Sequence, residues 1–202
     1  MKENATCCLI VFIRNPEKGK VKSRIAKTTG EDKALEIYQE LLNATRDLCT
    51  QLNDITKIIY YSSEIIHDDD WDNKVYKKRL QQGSNLGERM STALKLSLQH
   101  FEKAVLIGSD CPYITPQLIL KAFETLAAND LVIGPAHDGG YYLIGLKKHH
   151  PELFNDLDWG TSKVFGQTMV KAAGVKTGLI EKLSDIDTYE DYLAWKGKDP
   201  KK

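Results

Sequence analysis

Three aspartates and one run of cations are the side chains of this sequence whose types and setting could do chemistry. In "VLIGSDCPYITPQ", Val105 to Gln117, an apolar run of strand length ends on Asp110, with Cys111 and Pro112 directly behind it. Open α/β sheets bind ligands beyond the carboxyl ends of their parallel strands, where a carboxylate can meet a metal ion or a ligand hydroxyl. An aspartate in that place can also do no more than accept backbone amides of its own turn. Thr115 followed by Pro116 suits an N-cap and a first helical residue, so a helix is expected to begin just behind the site.

The cations lie in "FIRNPEKGKVKSRIAKTTG", where Arg14, Lys18, Lys20, Lys22, Arg24 and Lys27 follow the first apolar run. Asn15-Pro16 opens this segment and Gly19 permits a tight turn. It could hold a di- or triphosphate, or be a solvated basic loop, as most charge runs are. It matches neither G-x-x-x-x-G-K-[ST] nor G-x-G-x-x-G, so the P-loop and the dinucleotide fingerprint are excluded.

Asp138 sits in "GPAHDGGYYLIG" before two glycines, which let a ligand approach the backbone closely but also make an ordinary hairpin turn. His137 beside it is a weaker candidate for a base. In "LSDIDTYEDYLAW", Asp187 or Thr188 can cap a helix whose first turn is acidic; alternatively Asp185 and Asp187 feed carboxylates into the site. Two carboxylates about 5 Å apart at an effective dielectric near 20 repel by roughly 3 kcal/mol, so gathering them calls for a counter-charge. Magnesium would supply it, since it takes a few carboxylates together with waters and phosphate oxygens.

The elements that must position these groups read as an alternation. Strand-length apolar runs occur at 7–13, 55–63, 103–110, 130–136 and 141–146, with a further strand expected at about 75–81. Between them, 31–52, 86–101, 115–128 and 162–174 carry the three-and-four spacing of helices with one buried face. Strands apolar on both faces alternating with such helices predict a three-layer α/β/α sandwich around a mostly parallel sheet. The link "HDGG" is too short for a crossover helix, so 130–136 and 141–146 are expected to pair antiparallel, or else the chain kinks sharply there. The acidic stretch 67–73 reads as a solvated loop, and without glycine spacing it is a poor calcium loop.

The totals narrow the classes. The chain has 202 residues, enough for a single domain over 1–196, followed by a frayed basic tail at 197–202. Lys plus Arg and Asp plus Glu both number 28, which disfavours nucleic acid as the main partner. No apolar run approaches the roughly 18 residues of a membrane span, and "MKENATCCLIVFIRN" has no small-residue cleavage site, so a cytoplasmic address is expected. Cys7, Cys8, Cys49 and Cys111 form no C-x-x-C pair and read as small apolar residues in a reducing compartment. The oligomeric state is left open.

Taken in order, "FIRNPEKGKVKSRIA", "QQGSNLGERM", "LIGSDCPYIT", "GPAHDGGYYLIGL", "DWGTSKV" and "DIDTYEDY" resemble an uncharacterised bacterial GT-A-like family classed with the glycosyltransferases, of the nucleotide-diphospho-sugar transferase fold. More distantly the chain is similar to phospholactate guanylyltransferase and molybdenum-cofactor guanylyltransferase. The resemblance implies that Lys22 and Arg24, with Arg14 in the same loop, hold nucleotide phosphates. It places Gly87 and Arg89 beside the nucleotide, Asp110 and Asp187 on a metal ion (Mg2+ or Mn2+), and Asp138 at the acceptor or in the metal shell. Metal-dependent GT-A glycosyltransferases usually carry Asp-x-Asp, whereas this chain reads Asp110-Cys111-Pro112, closer to the nucleotidyltransferase pattern.

Two features in these segments also have plainer readings. Asn85 and Glu88 can cap a helix at Leu86, and a helix start there would equally offer amides to an anion. Thr161 or Ser162 can cap the next helix, or Trp159 to Ser162 can shape an acceptor pocket. The expectation is a metal-dependent transferase acting on a nucleotide or nucleotide-sugar with a small-molecule acceptor. The alternatives are a nucleotide-binding module of the same fold without turnover and, behind it, a structural partner protein.

Overall fold

The computed structural model describes residues 6–197. Seven strands form one sheet: β1 (Cys7–Ile13), β2 (Thr56–Tyr61), β3 (Tyr76–Leu80), β4 (Lys103–Ile107), β5 (Leu131–Pro135), β6 (Tyr141–Leu146) and β7 (Thr177–Leu179). Their order across the sheet is β3-β2-β1-β4-β6-β5-β7. All neighbours run parallel except β6, which is antiparallel to both β4 and β5. The short "HDGG" link makes the hairpin that the sequence predicts, with a register shift at Gly134/Pro135.

Alternation along β1 shows why helices cover both faces. Leu9, Val11 and Ile13 enter one apolar cluster with residues of α2 (Glu31–Thr50) and α4 (Pro116–Ala128). Cys8, Ile10 and Phe12 enter the opposite cluster with α3 (Leu86–Leu98), next to which Phe165 and Met169 of α5 (Val164–Lys171) also pack. This is a three-layer α/β/α sandwich, and the period-two pattern of a strand buried on both sides produces it. A satellite cluster joins Ile25 of α1 (Ser23–Thr29) and Ile37 and Leu41 of α2 to Ile186 and to Tyr192 of α6 (Tyr189–Gly197).

The helix starts are set locally. Asn85 accepts the amide of Glu88 at 2.9 Å, and the Glu88 carboxylate returns to the amide and hydroxyl of Ser84, both at 2.8 Å. Thr115 accepts from Leu118 ahead of Pro116, as its sequence position predicts. At α6, Thr188 is the cap. Its hydroxyl accepts the Asp191 amide at 3.2 Å, and Asp191 accepts the Thr188 amide at 2.8 Å, which leaves the Asp187 carboxylate outside the cap. Ahead of α5, Thr161 accepts the Lys163 amide at 3.3 Å in a turn, and the helix begins only after Lys163.

Three elements were not expected: α1, within the basic segment, the three-residue 3-10 helix Pro151–Leu153, and the three-residue β7. Gly197, where the tail was expected to begin, is the last residue of α6, and the rest of that tail lies outside the described residues, as do residues 1–5 of the N-terminal stretch. The four cysteines are free thiols. Among the described residues no helix is long and apolar enough to cross a membrane.

Candidate active site

The topology brings all the candidate segments to one edge. β1 to β4 and β7 end there, β5 ends there, and β6 begins there. The chain crosses from β1 to β2 on one side and returns from β3 to β4 on the other side of β1, and such a reversal of strand order opens a crevice at the carboxyl ends of the strands. A cavity of about 620 Å³ occupies it. Arg14, Lys20 and Arg89 supply cations to its wall, Asp110 and Asp185 supply carboxylates, and Phe12, Met90 and Leu106 are among its apolar lining.

The loop after β1 is held by the backbone of Arg14 and the side chain of Asn15, which leaves the Arg14 guanidinium to the cavity. Buried Asn15 donates to the Glu64 carbonyl at 2.9 Å and accepts from the Ser63 amide at 3.1 Å. Buried Tyr38 of α2 accepts the Arg14 amide at 2.8 Å; its hydroxyl lies 3.0 Å from the Arg14 carbonyl and 3.2 Å from the Ser109 hydroxyl. The ends of β1 and β4 are thereby tied through one phenol. Burial, chiefly, and the nearby Asp110 charge push that phenol's pKa up. The Arg14 guanidinium pairs with no carboxylate among the described residues. Lys20 pairs with Glu17 at 2.6 Å, and Arg89 donates through Nε to the Gly83 carbonyl at 3.0 Å.

Each of the two cations matched to phosphate positions is bonded to one of the two carboxylates matched to a metal. Lys22 Nζ lies 2.8 Å from Asp110 Oδ1, and Arg24 lies 3.0 Å from Asp187 Oδ2. The segment leading into α6 runs beside β5 and the loop after β4. Leu183 donates to the Pro135 carbonyl, Cys111 Sγ donates to the Ser184 carbonyl, and Ile186 donates to the Asp110 carbonyl at 2.8 Å. Asp185 is delivered between these contacts. Its pKa is pushed up to about 7, first by burial and then by the charges of Asp110, Asp138 and Asp187, with Lys22 partly offsetting them.

Asp138 and Gly87 lie apart from the cavity wall. Asp138 is exposed in the β5–β6 turn and accepts the Gly140 amide at 2.8 Å, close enough to Asp185 to raise its pKa. Gly139 there has φ +92°, and a side chain on it would run into the backbone of Ser162. Gly87 is buried, and a Cβ on it would stand 2.5 Å from both the Phe154 carbonyl and the Trp159 indole nitrogen. Glycine at 87 thus gives α3 its close contact with the 154–159 loop. His137 is exposed, with its amide on the Leu183 carbonyl. Sequence reasoning named Asp185 only as an alternative; its burial comes from pairing with distant segments, which no local pattern encodes.

Fold and edge geometry define a protein of the nucleotide-diphospho-sugar transferase fold. The chain belongs to the family described as uncharacterized proteins conserved in bacteria (DUF2064), whose pattern matches residues 45–161. It is similar over 98% of its length, at 32% identity and a TM-score of 0.86, to a protein of Desulfovibrio desulfuricans G20 provisionally named nucleotide-diphospho-sugar transferase, of which the match covers 90%. The same fold at 12% identity and a TM-score of 0.60 is seen in 4-diphosphocytidyl-2C-methyl-D-erythritol synthase of Anaerococcus prevotii, with 96% of this chain and all of that one (100%) covered. Rv0371c of Mycobacterium tuberculosis, solved in complex with manganese, shares it at 14% identity and a TM-score of 0.58, with coverage of 96% and 100%. No curated protein matches the chain in sequence.

Proposed function

We propose that the protein is a divalent-metal-dependent transferase acting on a nucleotide or nucleotide-sugar at this edge. The observation that carries the reading is the convergence of Arg14, Arg89, Asp110 and Asp185 on one cavity of about 620 Å³. A nucleotide needs an apolar floor for its base and separate cations for its phosphates, and both are present here. The resemblance to transferases over nearly the whole chain supports the same reading.

The donor set fits a divalent cation completed by substrate. Among the described residues no three His, Cys, Asp or Glu side chains stand ready as a metal cage. Magnesium and manganese sites in phosphate chemistry commonly take one or two carboxylates and fill the remainder with water and phosphate oxygens. Asp110 and Asp185 line the cavity, Asp187 lies beside them, and all offer hard oxygen donors. The like charges that raise the Asp185 pKa are of the kind such a cation offsets. When bound, it would neutralise charge developing on the phosphates.

This chain's own residues do the rest. Arg14 and Arg89 orient the phosphates from the walls, and exposed Arg24, paired with Asp187, is able to exchange that carboxylate for phosphate. Asp138, exposed next to the carboxylates, positions the acceptor. Rate then comes from alignment and charge neutralisation, and no protein nucleophile is required. Incubation with each nucleoside triphosphate and each nucleotide-sugar, with Mg2+ or Mn2+, tests this. Pyrophosphate release identifies nucleotidyl transfer and nucleoside diphosphate release identifies glycosyl transfer. Binding without either product would make the protein a nucleotide-binding module instead.

A further inference from the structure

The side chain of Lys22 is only 6% exposed, and its ammonium is held from two directions: by Asp110 Oδ1 at 2.8 Å and by the Ile186 carbonyl at 2.7 Å. The Ile186 amide in turn donates to the Asp110 carbonyl at 2.8 Å, which closes a ring between the loop after β4, the segment before α6 and the start of α1. Ile186 is wholly buried in the satellite cluster with Ile25, Ile37 and Leu41. Lys22 itself has φ 47° and ψ 48° at the N-cap of α1. A non-glycine residue keeps that left-handed conformation only where its surroundings determine it. Arg14, Lys20 and Arg89 line the cavity, whereas Lys22 meets Asp110 from the protein side.

We propose that Lys22 is a positioning residue: its ammonium is a fixed internal cation that locks Asp110 to the 185–187 segment, and the cation of this loop that lines the cavity without a carboxylate partner among the described residues, and so meets phosphate there, is Arg14. The clamp sets the spacing of Asp110, Asp185 and Asp187, and it neutralises Asp110 from behind while leaving its other oxygen uncommitted. Two residues away, Arg24 makes an exposed pair of the ordinary surface kind with Asp187.

Lys22→Met, Lys22→Arg, Arg24→Met and Arg14→Met would be compared by amide hydrogen exchange at Ile186 and by calorimetric titration of a nucleoside triphosphate with Mg2+. A guanidinium serves phosphate at least as well as an ammonium but does not fit a closed seat built for one. Both Lys22 variants should therefore lose Ile186 protection by at least about tenfold, while Arg24→Met and Arg14→Met keep it within about threefold. Arg14→Met should weaken nucleotide binding about tenfold or more. If Lys22→Met does not fold, Lys22→Arg carries the test. The proposal is overturned if Lys22→Arg keeps wild-type protection, or if Lys22→Met weakens nucleotide binding while Ile186 stays protected. The nucleotide arm rests on the proposed transferase function and the exchange arm does not, so absence of nucleotide binding in every variant would sink that function and still leave the clamp decided at Ile186.

Discussion

Two buried lysines of this protein each hold an aspartate at 2.8 Å, and the two pairs differ in what is left over. Lys78 and Asp69 are 4% and 20% exposed. Asp69 also accepts from the Tyr61 hydroxyl and the Trp71 amide, and Lys78 also donates to the Ile66 and His67 carbonyls, so the group is complete in itself. Lys22 and Asp110 are 6% and 49% exposed. There the lysine is as enclosed as Lys78, yet half of the carboxylate faces a cavity. The same ion pair is thus closed in one region and open in the other. Under the proposed function, this half-exposed carboxylate on the cavity wall is the one left for a ligand.

The largest effect expected from breaking this comparison is on the closed side. Lys78→Met strands a partly buried Asp69 charge and should cost about 3–5 kcal/mol of stability in urea unfolding. Nucleotide affinity should stay within about twofold, because Asp69 is not on the cavity wall. A loss below about 1 kcal/mol would mean the pair is no more than a surface contact. On the open side the readouts invert. Asp110→Asn still accepts from Lys22 and should cost only about 1 kcal/mol of stability. It should lower the transfer rate about 10²–10³-fold. A variant retaining a tenth of wild-type turnover would remove Asp110 from the chemistry.

The closed pair was illegible in the sequence, and the reason is physical. The acidic run at 67–73 reads as solvated, which suits Asp68 and Asp70, but Asp69 is drawn inward by Lys78 and Tyr61, nine and eight residues away across a loop. The apolar runs that became β1, β2 and β4 to β6 were legible because burial on two faces leaves a mark at every residue. β7 has only Thr177, Gly178 and Leu179, and its place at the sheet edge comes from pairing with β5. α1 buries one residue, Ile25, in a segment dominated by charge. The aspartates and cations stand out in the sequence by type and by position after strands, and the structure brings Arg14, Arg89 and Asp110 of them to one cavity. Which cation serves which carboxylate depended on the 183–187 segment folding back over Asp110, and that is a tertiary contact.

Asp185 sharpens the comparison through pH. Its folded pKa, about 7, lies above the ordinary 3.8, so the folded chain holds a proton that the unfolded chain has released between those values. Stability from this group is therefore present below pH 4 and is lost as pH rises through 7. With divalent cations chelated, the loss should reach roughly 2–4 kcal/mol by pH 8, and Asp185→Asn should remove this group's pH dependence. Adding Mg2+ or Mn2+ at pH 8 should raise the wild-type melting temperature and do little for Asp185→Asn. Equal stabilisation of both proteins would place the cation elsewhere.

The smallest effects separate two buried phenols that stand in the same relation as the two ion pairs. Tyr61 donates to Asp69 within the closed group, and Tyr38 ties the Arg14 backbone to Ser109 at the mouth of the cavity. Removing either hydroxyl deletes buried hydrogen bonds without changing the packed ring, so Tyr61→Phe and Tyr38→Phe should each cost about 1–2 kcal/mol. Only Tyr38 sets where the strand ends bearing Arg14 and Asp110 stand relative to each other. Calorimetry should therefore show a several-fold weaker nucleotide affinity for Tyr38→Phe and no change for Tyr61→Phe, since a displacement near 1 Å in a charged site is felt far more than the same displacement in a loop. Equal affinities in the two variants would mean that packing alone holds the cavity edge, and that the phenol bridging β1 and β4 contributes stability without geometry.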